Sequence, residues 1–189
     1  MIFERLRGVL SALGRDEEWY RFFNVTRGGF QRSFLVALGT IPAYFVVARA
    51  VEVERGLLLG EASRDIPWGV FGAVMVAYSL AFPFVAVVVA TLFGRGERLQ
   101  GWVVVRHWAV FWLAWAVAGM FALYLAGAVG YAFANMVGFA AWFGVLAVDI
   151  RLAQKVAGLG LGAAVLVGSI ITSLGMSLVL AGLILYLGS

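Results

Sequence analysis

Apolar tracts long enough to cross a lipid bilayer dominate this sequence. Residues 68–93 contain no charged side chain, and residues 102–148 form a tract of 47 residues interrupted only by Arg106 and His107. A helix needs roughly 20 apolar residues to cross about 30 Å of hydrocarbon. The chain is also 63% hydrophobic and 13% charged, whereas soluble domains average about 25% charged residues. The sequence therefore predicts an all-α integral membrane protein.

The apolar pattern predicts five transmembrane helices. The 47-residue tract is too long for one crossing, and Gly127 and Gly130 divide it into two. The predicted spans are residues 34–51, 68–93, 102–126, 131–149 and 159–187, which together form a transmembrane domain over residues 34–189.

Residues 1–33 form a separate, cytoplasmic or interfacial segment in this interpretation. Apolar residues recur there at three- and four-residue steps, namely Ile2, Phe3, Leu6, Val9, Leu10 and Leu13. This spacing predicts a short amphipathic helix at the membrane interface. The charged and aromatic stretch that follows is expected to lie along the membrane surface, or alternatively to form a cap on the loop ends.

The distribution of basic residues predicts an orientation. With five spans, eleven Arg and Lys residues lie on the side of the N-terminus and three on the opposite side. Cytoplasmic loops are enriched in Lys and Arg, so we expect the N-terminus in the cytoplasm and the C-terminus outside. The chain has 13 arginines and one lysine, with abundant Ala, Gly and Val. That composition favours a bacterial source and hence a bacterial inner membrane.

Four polar residues near the predicted cytoplasmic ends are interpreted as interfacial anchors. Arg106 and His107 lie four and five residues after Trp102, or roughly 6 to 7.5 Å along a helix. From that depth Arg106 can snorkel to the headgroups. Asp149 and Arg151 lie at the same side, and Asp149 is expected to pair with Arg106 or Arg151. The alternative, a proton or substrate relay, needs ionisable partners near the midplane, and the predicted spans supply none there.

Small residues at four-residue spacing predict helix-packing faces. They are Ser169, Ser173, Ser177 and Ala181 with Gly168 and Thr172 beside them in span five, and Ala114, Ala118 and Ala122 in span three. Small side chains allow the close helix approach that drives association in lipid. Two interpretations remain open: packing against other spans of the same chain, or a surface for self-association or for a partner.

Catalytic and cofactor motifs are absent from the sequence. The chain has no cysteine and one histidine, which excludes disulfides, thiolate metal sites and a bis-histidine haem within one chain. No P-loop, nucleophile elbow or metalloprotease motif occurs. Because the cations are scattered over separate loops, nucleic-acid binding is not expected. We therefore expect no enzymatic activity, no cofactor and no metal.

One short stretch resembles a known family. The segment AYSLAFPF, with Tyr78, Ser79, Leu80 and Pro83, resembles the Tyr-Ser-Leu and Pro motif inside a span of the Yip family, membrane proteins named for interaction with Rab-type GTPases. The resemblance implies a distant, bacterial-type relative with a cytoplasmic N-terminus, five spans, almost no C-terminal tail and a non-enzymatic scaffolding function.

Three functions follow from these features. A membrane scaffold or membrane-organising protein that acts through helix packing explains the small-residue faces, with the lipid bilayer and a homo-oligomer as partners. An accessory subunit of a larger membrane complex explains the same features with other membrane-protein subunits as partners. A small transporter or channel is the third, favoured only by Pro42 and Pro83, which interrupt spans one and two.

Overall fold

The computed structural model describes residues 2–14, 16–60 and 67–187, with side chains described up to Gly182. These residues form helices α1 (Ile2–Leu13), α2 (Arg27–Leu38), α3 (Ile41–Leu59), α4 (Trp68–Leu92), α5 (Leu99–Leu125), α6 (Tyr131–Lys155) and α7 (Leu161–Leu187), with short 3₁₀ turns at Trp19–Phe22 and Gly96–Arg98. The described ranges contain no strand. Arg15 and Arg64, two of the cations that predict the orientation, lie outside the described residues, as do Gly188 and Ser189.

Five segments are long and apolar enough to cross a membrane, and they confirm the predicted all-α, five-span architecture. They are Arg27–Leu59, Trp68–Leu92, Gly96–Leu125, Tyr131–Lys155 and Leu161–Gly182. α5 lies at the centre of the bundle and contacts α2, α3, α4 and α6, while α7 packs between α4 and α6. α1 packs against α5 and α6 at the end of the bundle that carries the loops at residues 93–98 and 156–160. We call this end the basic end.

The first span differs from its predicted boundary because its helix begins earlier and is broken. α2 begins at Arg27, where the Thr26 hydroxyl accepts a hydrogen bond from the Gly29 amide. The predicted boundary at residue 34 follows hydropathy, whereas the cap and helix continue through the polar residues before it. α2 and α3 are separated by Gly39 and Thr40, and Pro42 lies in the first turn of α3. The indole N–H of Trp115 donates to the Gly39 carbonyl across 3.1 Å, so the break leaves this carbonyl satisfied.

The two middle spans also extend beyond their predicted ends at the basic end. The third begins with the turn at Gly96 rather than at residue 102, and α6 continues to Lys155 rather than ending at residue 149. Charged residues lower the local hydropathy without interrupting backbone hydrogen bonds. The sequence therefore placed Arg106 and Asp149 at span ends, whereas they lie inside the helices.

α1 is docked on the bundle. Gly8, Val9 and Ala12 are buried, and Gly8 lies directly against Phe22 and Phe23. The ring of Phe3 stacks on Trp112 of α5 with centroids 6.0 Å apart. The segment after α1 also packs inward, since Phe23 is buried and Trp19 lies beside Gly101. The segment therefore packs on the start of α5, while its expected position along the membrane surface stays a prediction.

Candidate functional site

A buried ion pair joins α5 to α6. The Arg106 Nε donates to Asp149 Oδ1 across 2.6 Å, and Nη2 donates to Oδ2 across 3.1 Å. The two side chains are only 7% and 0% exposed. Arg106 lies seven residues after Leu99, or about 10 Å into the helix, and Asp149 lies six residues before Lys155, or about 9 Å. The expected pairing of Asp149 with Arg106 is confirmed, but the interpretation of both as interfacial anchors is wrong.

Two further helices contact this pair. The Thr172 hydroxyl of α7 donates to Asp149 Oδ2 across 3.3 Å. On the other side, the Arg106 guanidinium carbon lies 4.0 Å from the centroid of the Phe82 ring in α4, a cation–π geometry. Arg106 thus has an internal carboxylate and an aromatic face within reach, which is why it does not extend to the headgroups.

His107 is also buried, so its prediction as an interfacial anchor is wrong. Its Nδ1 lies 2.9 Å from the Ser33 hydroxyl, which itself donates to the Phe30 carbonyl across 2.7 Å. A hydroxyl has one hydrogen, so we assign His107 Nδ1 as the donor to Ser33. The opposite nitrogen, Nε2, is buried without a hydrogen-bond partner among the described residues. Together these contacts connect α2 to the helices that surround Arg106.

Arg151 remains near the basic end, where it contacts protein backbone. Its guanidinium donates to the Leu13 and Gly14 carbonyls, each across 3.0 Å, and Lys155 donates to the Ser11 and Gly14 carbonyls across 3.2 and 2.7 Å. The last carbonyls of a helix have no partner within it. These two cations of α6 therefore cap α1, a role that the anchor interpretation of Arg151 did not include.

Asp16 lies just beyond α1 and belongs to the same cap. A hydrogen bond from the Ser11 hydroxyl, followed in importance by one from the Glu18 amide, lowers the pKa of the Asp16 carboxyl below its usual value. The nearby Lys155 acts in the same direction. The cap is therefore built for an ionised Asp16.

The small-residue face of α7 points away from the bundle. Ser169 is half-buried, while Ser173, Ser177 and Ala181 are exposed. The in-chain packing interpretation is therefore wrong for these three residues. It holds for the adjacent face, where Gly168 packs against Ile150 of α6 and Thr172 binds Asp149. We call Ser169, Ser173, Ser177 and Ala181 the outer α7 stripe.

The corresponding stripe of α5 is divided. Ala114 and Ala118 are buried with Ala43, Tyr44 and Val46 of α3, as the packing interpretation predicts. Ala122 is exposed, so the prediction is wrong at that position. A helix advances 100° per residue, and residues four apart drift by about 40°. A stripe at this spacing therefore rotates out of a straight interface within a few turns.

The residues of the family-like motif have structural contacts. The Tyr78 ring lies edge-on to Tyr44 of α3, with centroids 5.9 Å apart, and it packs against Gly175 of α7. The Ser79 hydroxyl donates to the Met75 carbonyl of its own helix across 2.8 Å. Pro83 lies inside α4 and is half-buried. Each residue thus has a role in α4 or in its packing.

The fold defines the class of this protein, an all-α multi-pass membrane protein. No group of three metal-ligating side chains occurs within the described ranges. No family model, no curated protein and no solved structure matches the chain. The Yip resemblance therefore stays a hypothesis that rests on Tyr78, Ser79 and Pro83.

Proposed function

We propose that this protein is a non-enzymatic scaffold of a bacterial inner membrane that associates with a second copy of itself through the outer α7 stripe. The observation that carries the proposal is the outward direction of this stripe. Three of its four small side chains face away from the bundle, where a neighbouring helix can approach closely. Packing of small residues is a principal source of helix association in lipid.

The hydroxyl groups of the stripe support the same proposal. The structure shows no hydrogen bond from the hydroxyls of Ser169, Ser173 or Ser177 to any described residue, whereas Ser79 and Thr91 donate to carbonyls of their own helices. A hydroxyl that faces hydrocarbon gains from a partner on another helix, by about 0.6 kcal/mol on average. Three such hydroxyl groups on one face therefore favour contact with a neighbouring helix that supplies hydrogen-bond acceptors.

The pairing of Arg106 and of the Gly39 carbonyl supports a structural role rather than transport. Arg106 is paired with Asp149, and the carbonyl freed at the break in span one accepts from Trp115. Transporters use broken helices to present unpaired groups at the midplane. An accessory subunit is the alternative to self-association, with the outer α7 stripe contacting a different membrane protein.

Cysteine cross-linking tests the proposal, because the native chain has no cysteine. Ser173→Cys and Ser177→Cys, oxidised in native membranes, should give a disulfide-linked dimer. Phe84→Cys, on the exposed face of α4, is the matched control and should remain monomeric. An adduct with another membrane protein instead would establish the accessory-subunit alternative, while equal dimer yields at all three positions would reject a specific interface.

The proposed orientation places the basic end in the cytoplasm. A reporter that is active only outside the cytoplasm should be active when fused at Ser189 and silent when fused at Met1, because basic residues are retained on the cytoplasmic side. Equal activity at both termini would contradict the five-span topology.

A further inference from the structure

Polar residues extend to different depths on the two sides of the bundle. Where α4 and α7 meet the basic end, the outward side chains are apolar, since Leu92 is 77% exposed and Leu161 is 62% exposed. Leu92 is the last residue of α4 and Leu161 is the first of α7. Exposed apolar side chains favour contact with acyl chains over water. On this side, which we call the apolar side, hydrocarbon is therefore expected to reach the ends of the helices.

α1 extends deep along another side of the bundle. The carbonyl of Leu13, at the end of α1, accepts from Arg151, which lies four residues before the end of α6, or about 6 Å from the basic end. Phe3, near the start of α1, stacks on Trp112, which lies thirteen residues into α5, or about 20 Å. The ten residues from Phe3 to Leu13 span about 15 Å, which is close to this difference in depth. α1 therefore runs nearly parallel to the bundle axis.

α1 carries exposed charged residues at these depths. Both Glu4 and Arg7 are exposed. Counted from Leu13 with the same rise per residue, Arg7 lies about 15 Å from the basic end and Glu4 about 20 Å. An arginine can extend toward the headgroups, but the shorter glutamate does not cover such a distance. Because a charge that faces hydrocarbon is costly, this side of α1 requires polar surroundings.

α2 lies beside α1 on the surface of α5. The start of α1 contacts Trp112 through Phe3, and a β-carbon on Gly39 at the end of α2 would lie 3.3 Å from the ring of Phe111. The rings of Phe111 and Trp112 are themselves in contact, with centroids 5.7 Å apart. α1 and α2 therefore flank one strip of α5. We call the surface of α1, α2 and α3, which continues the first span, the polar side.

The first span is short between its charged residues. Arg32 of α2 and Arg49 of α3 are exposed, and only the 16 residues 33–48 between them are uncharged. As a continuous helix this stretch would cover about 24 Å, less than the roughly 30 Å of hydrocarbon. α4 has no charged residue over 25 residues, or about 37 Å. Tilting the bundle does not remove this mismatch because both ends of the first span are charged, whereas a bilayer that is thinner beside it does.

We propose that the polar side binds phospholipid headgroups that lie closer to the midplane than elsewhere, so that the leaflet at the basic end is locally thinned beside α1 and α2. The headgroup phosphates contact Arg7, Arg27 and Arg32, which are all exposed, because guanidinium groups pair well with phosphate oxygens. The bilayer keeps its ordinary thickness at the apolar side. This proposal does not depend on the outer α7 stripe or on a dimer, and it gives the chain a direct effect on the membrane.

Spin labels at matched depths test the proposal, because the native chain has no cysteine. Gln31→Cys on the polar side and Leu166→Cys on the apolar side are both exposed positions, about 9 and 8 Å from the basic end. In phosphatidylcholine vesicles that contain the full chain, we expect a several-fold higher ratio of accessibility to water-soluble nickel ethylenediaminediacetate over molecular oxygen at residue 31. Equal ratios at the two positions would overturn the proposal.

A second pair of labels extends the comparison toward the midplane. Glu4→Cys lies about 20 Å and Ile170→Cys about 14 Å from the basic end, and both positions are exposed. The label at residue 4 should be the more accessible to the nickel complex although it is the deeper one. Cross-linking of Phe3→Cys to Trp112→Cys by a short bis-maleimide in the same vesicles should show that α1 is docked. A hydrated label at residue 4 without this cross-link would mean that α1 leaves the bundle, which would also overturn the proposal.

Variants of the arginines test the contact with phosphate. Replacing Arg7, Arg27 and Arg32 together with Leu should lower the nickel accessibility of the Gln31→Cys label toward that of Leu166→Cys. Replacing the same three residues with Lys retains the positive charges and should preserve the accessibility. An unchanged label in the leucine variant would reject phosphate binding by these residues. If the leucine variant does not fold, the two matched pairs of labels still decide whether the leaflet is thinned.

Discussion

The Arg106 Nε lies 2.6 Å from Asp149 Oδ1, and this contact joins α5 to α6 inside the bundle. Thr172 binds the same carboxylate from α7, and Phe82 of α4 covers the guanidinium. Four of the five spans therefore meet at one ion pair. Because a buried pair is stable only in one arrangement of its partners, it can specify the order in which these helices pack.

Removing one member of the pair should be far more harmful than removing both. Asp149→Leu or Arg106→Met leaves an unpaired buried charge and should lower the free energy of unfolding by about 3 to 5 kcal/mol. The double replacement leaves no charge and should be close to the wild type. Thermal unfolding of the detergent-solubilised variants measures this. A double variant that is no more stable than either single variant would contradict the role of the pair.

The hydrogen bond between Ser33 and His107 predicts a second, smaller loss of stability when it is removed. Ser33→Ala removes the acceptor for the buried Nδ1 donor and should cost about 1 to 3 kcal/mol. Adding His107→Phe removes the unsatisfied donor and should restore part of this loss. Thermal unfolding again provides the measurement, with Thr91→Ala as the control because Thr91 is exposed and bonds only to its own helix. Equal stability of Ser33→Ala and wild type would show that the hydrogen bond is not maintained.

The small residues of α5 provide a matched pair of substitutions. Ala118 is buried against α3, whereas Ala122 belongs to the same sequence pattern and is exposed. Ala118→Leu should overpack the contact and cost about 1 to 3 kcal/mol. Ala122→Leu should leave the unfolding temperature nearly unchanged. Similar losses at both positions would mean that the stripe packs as one continuous face.

The sequence predicted the helices and their number well because membrane spans are defined by local hydropathy. It failed where a side chain's partner lies on another helix. The sequence around Arg106 does not show whether its side chain extends to the headgroups or pairs with Asp149. The positions of both residues near span ends nevertheless indicated that they could pair. The partners Ser33, Phe82 and Thr172 were missed because a serine, a phenylalanine and a threonine are ordinary in a span. The direction of the outer α7 stripe likewise depends on which face of α7 meets α4 and α6.

The two faces of α7 should respond differently to added bulk. A β-carbon placed on Gly168 would lie 2.6 Å from Ile150 Cγ1 and 2.8 Å from its backbone nitrogen, so Gly168→Ala should destabilise the monomer. Changing Ser169, Ser173 and Ser177 together to Leu should leave the unfolding temperature of the monomer almost unchanged and abolish the proposed dimer. Native gel electrophoresis and thermal unfolding separate these outcomes. A triple variant that stays dimeric would reject the outer α7 stripe as the interface.

The cap on α1 should depend on pH in one direction. A free aspartate has a pKa of about 3.9, and the hydrogen bond from Ser11 lowers the pKa of Asp16 in the docked state. Docking therefore gains stability from ionised Asp16 above that free value, and loses this gain as the pH falls through the lowered pKa.

Phe3→Cys with Trp112→Cys reports docking through a short bis-maleimide, since the native rings stack at 6.0 Å. After equilibration at each pH and trapping at neutral pH, cross-linking should decline below about pH 4, and less steeply with Asp16→Asn. Adding Lys155→Gln and Arg151→Gln to this cysteine pair should reduce the cross-linking yield at all pH values. The control pair, Phe3→Cys with Phe84→Cys, should give no cross-link. Cross-linking that is indifferent to both α6 substitutions would show that α1 is held by its apolar contacts alone.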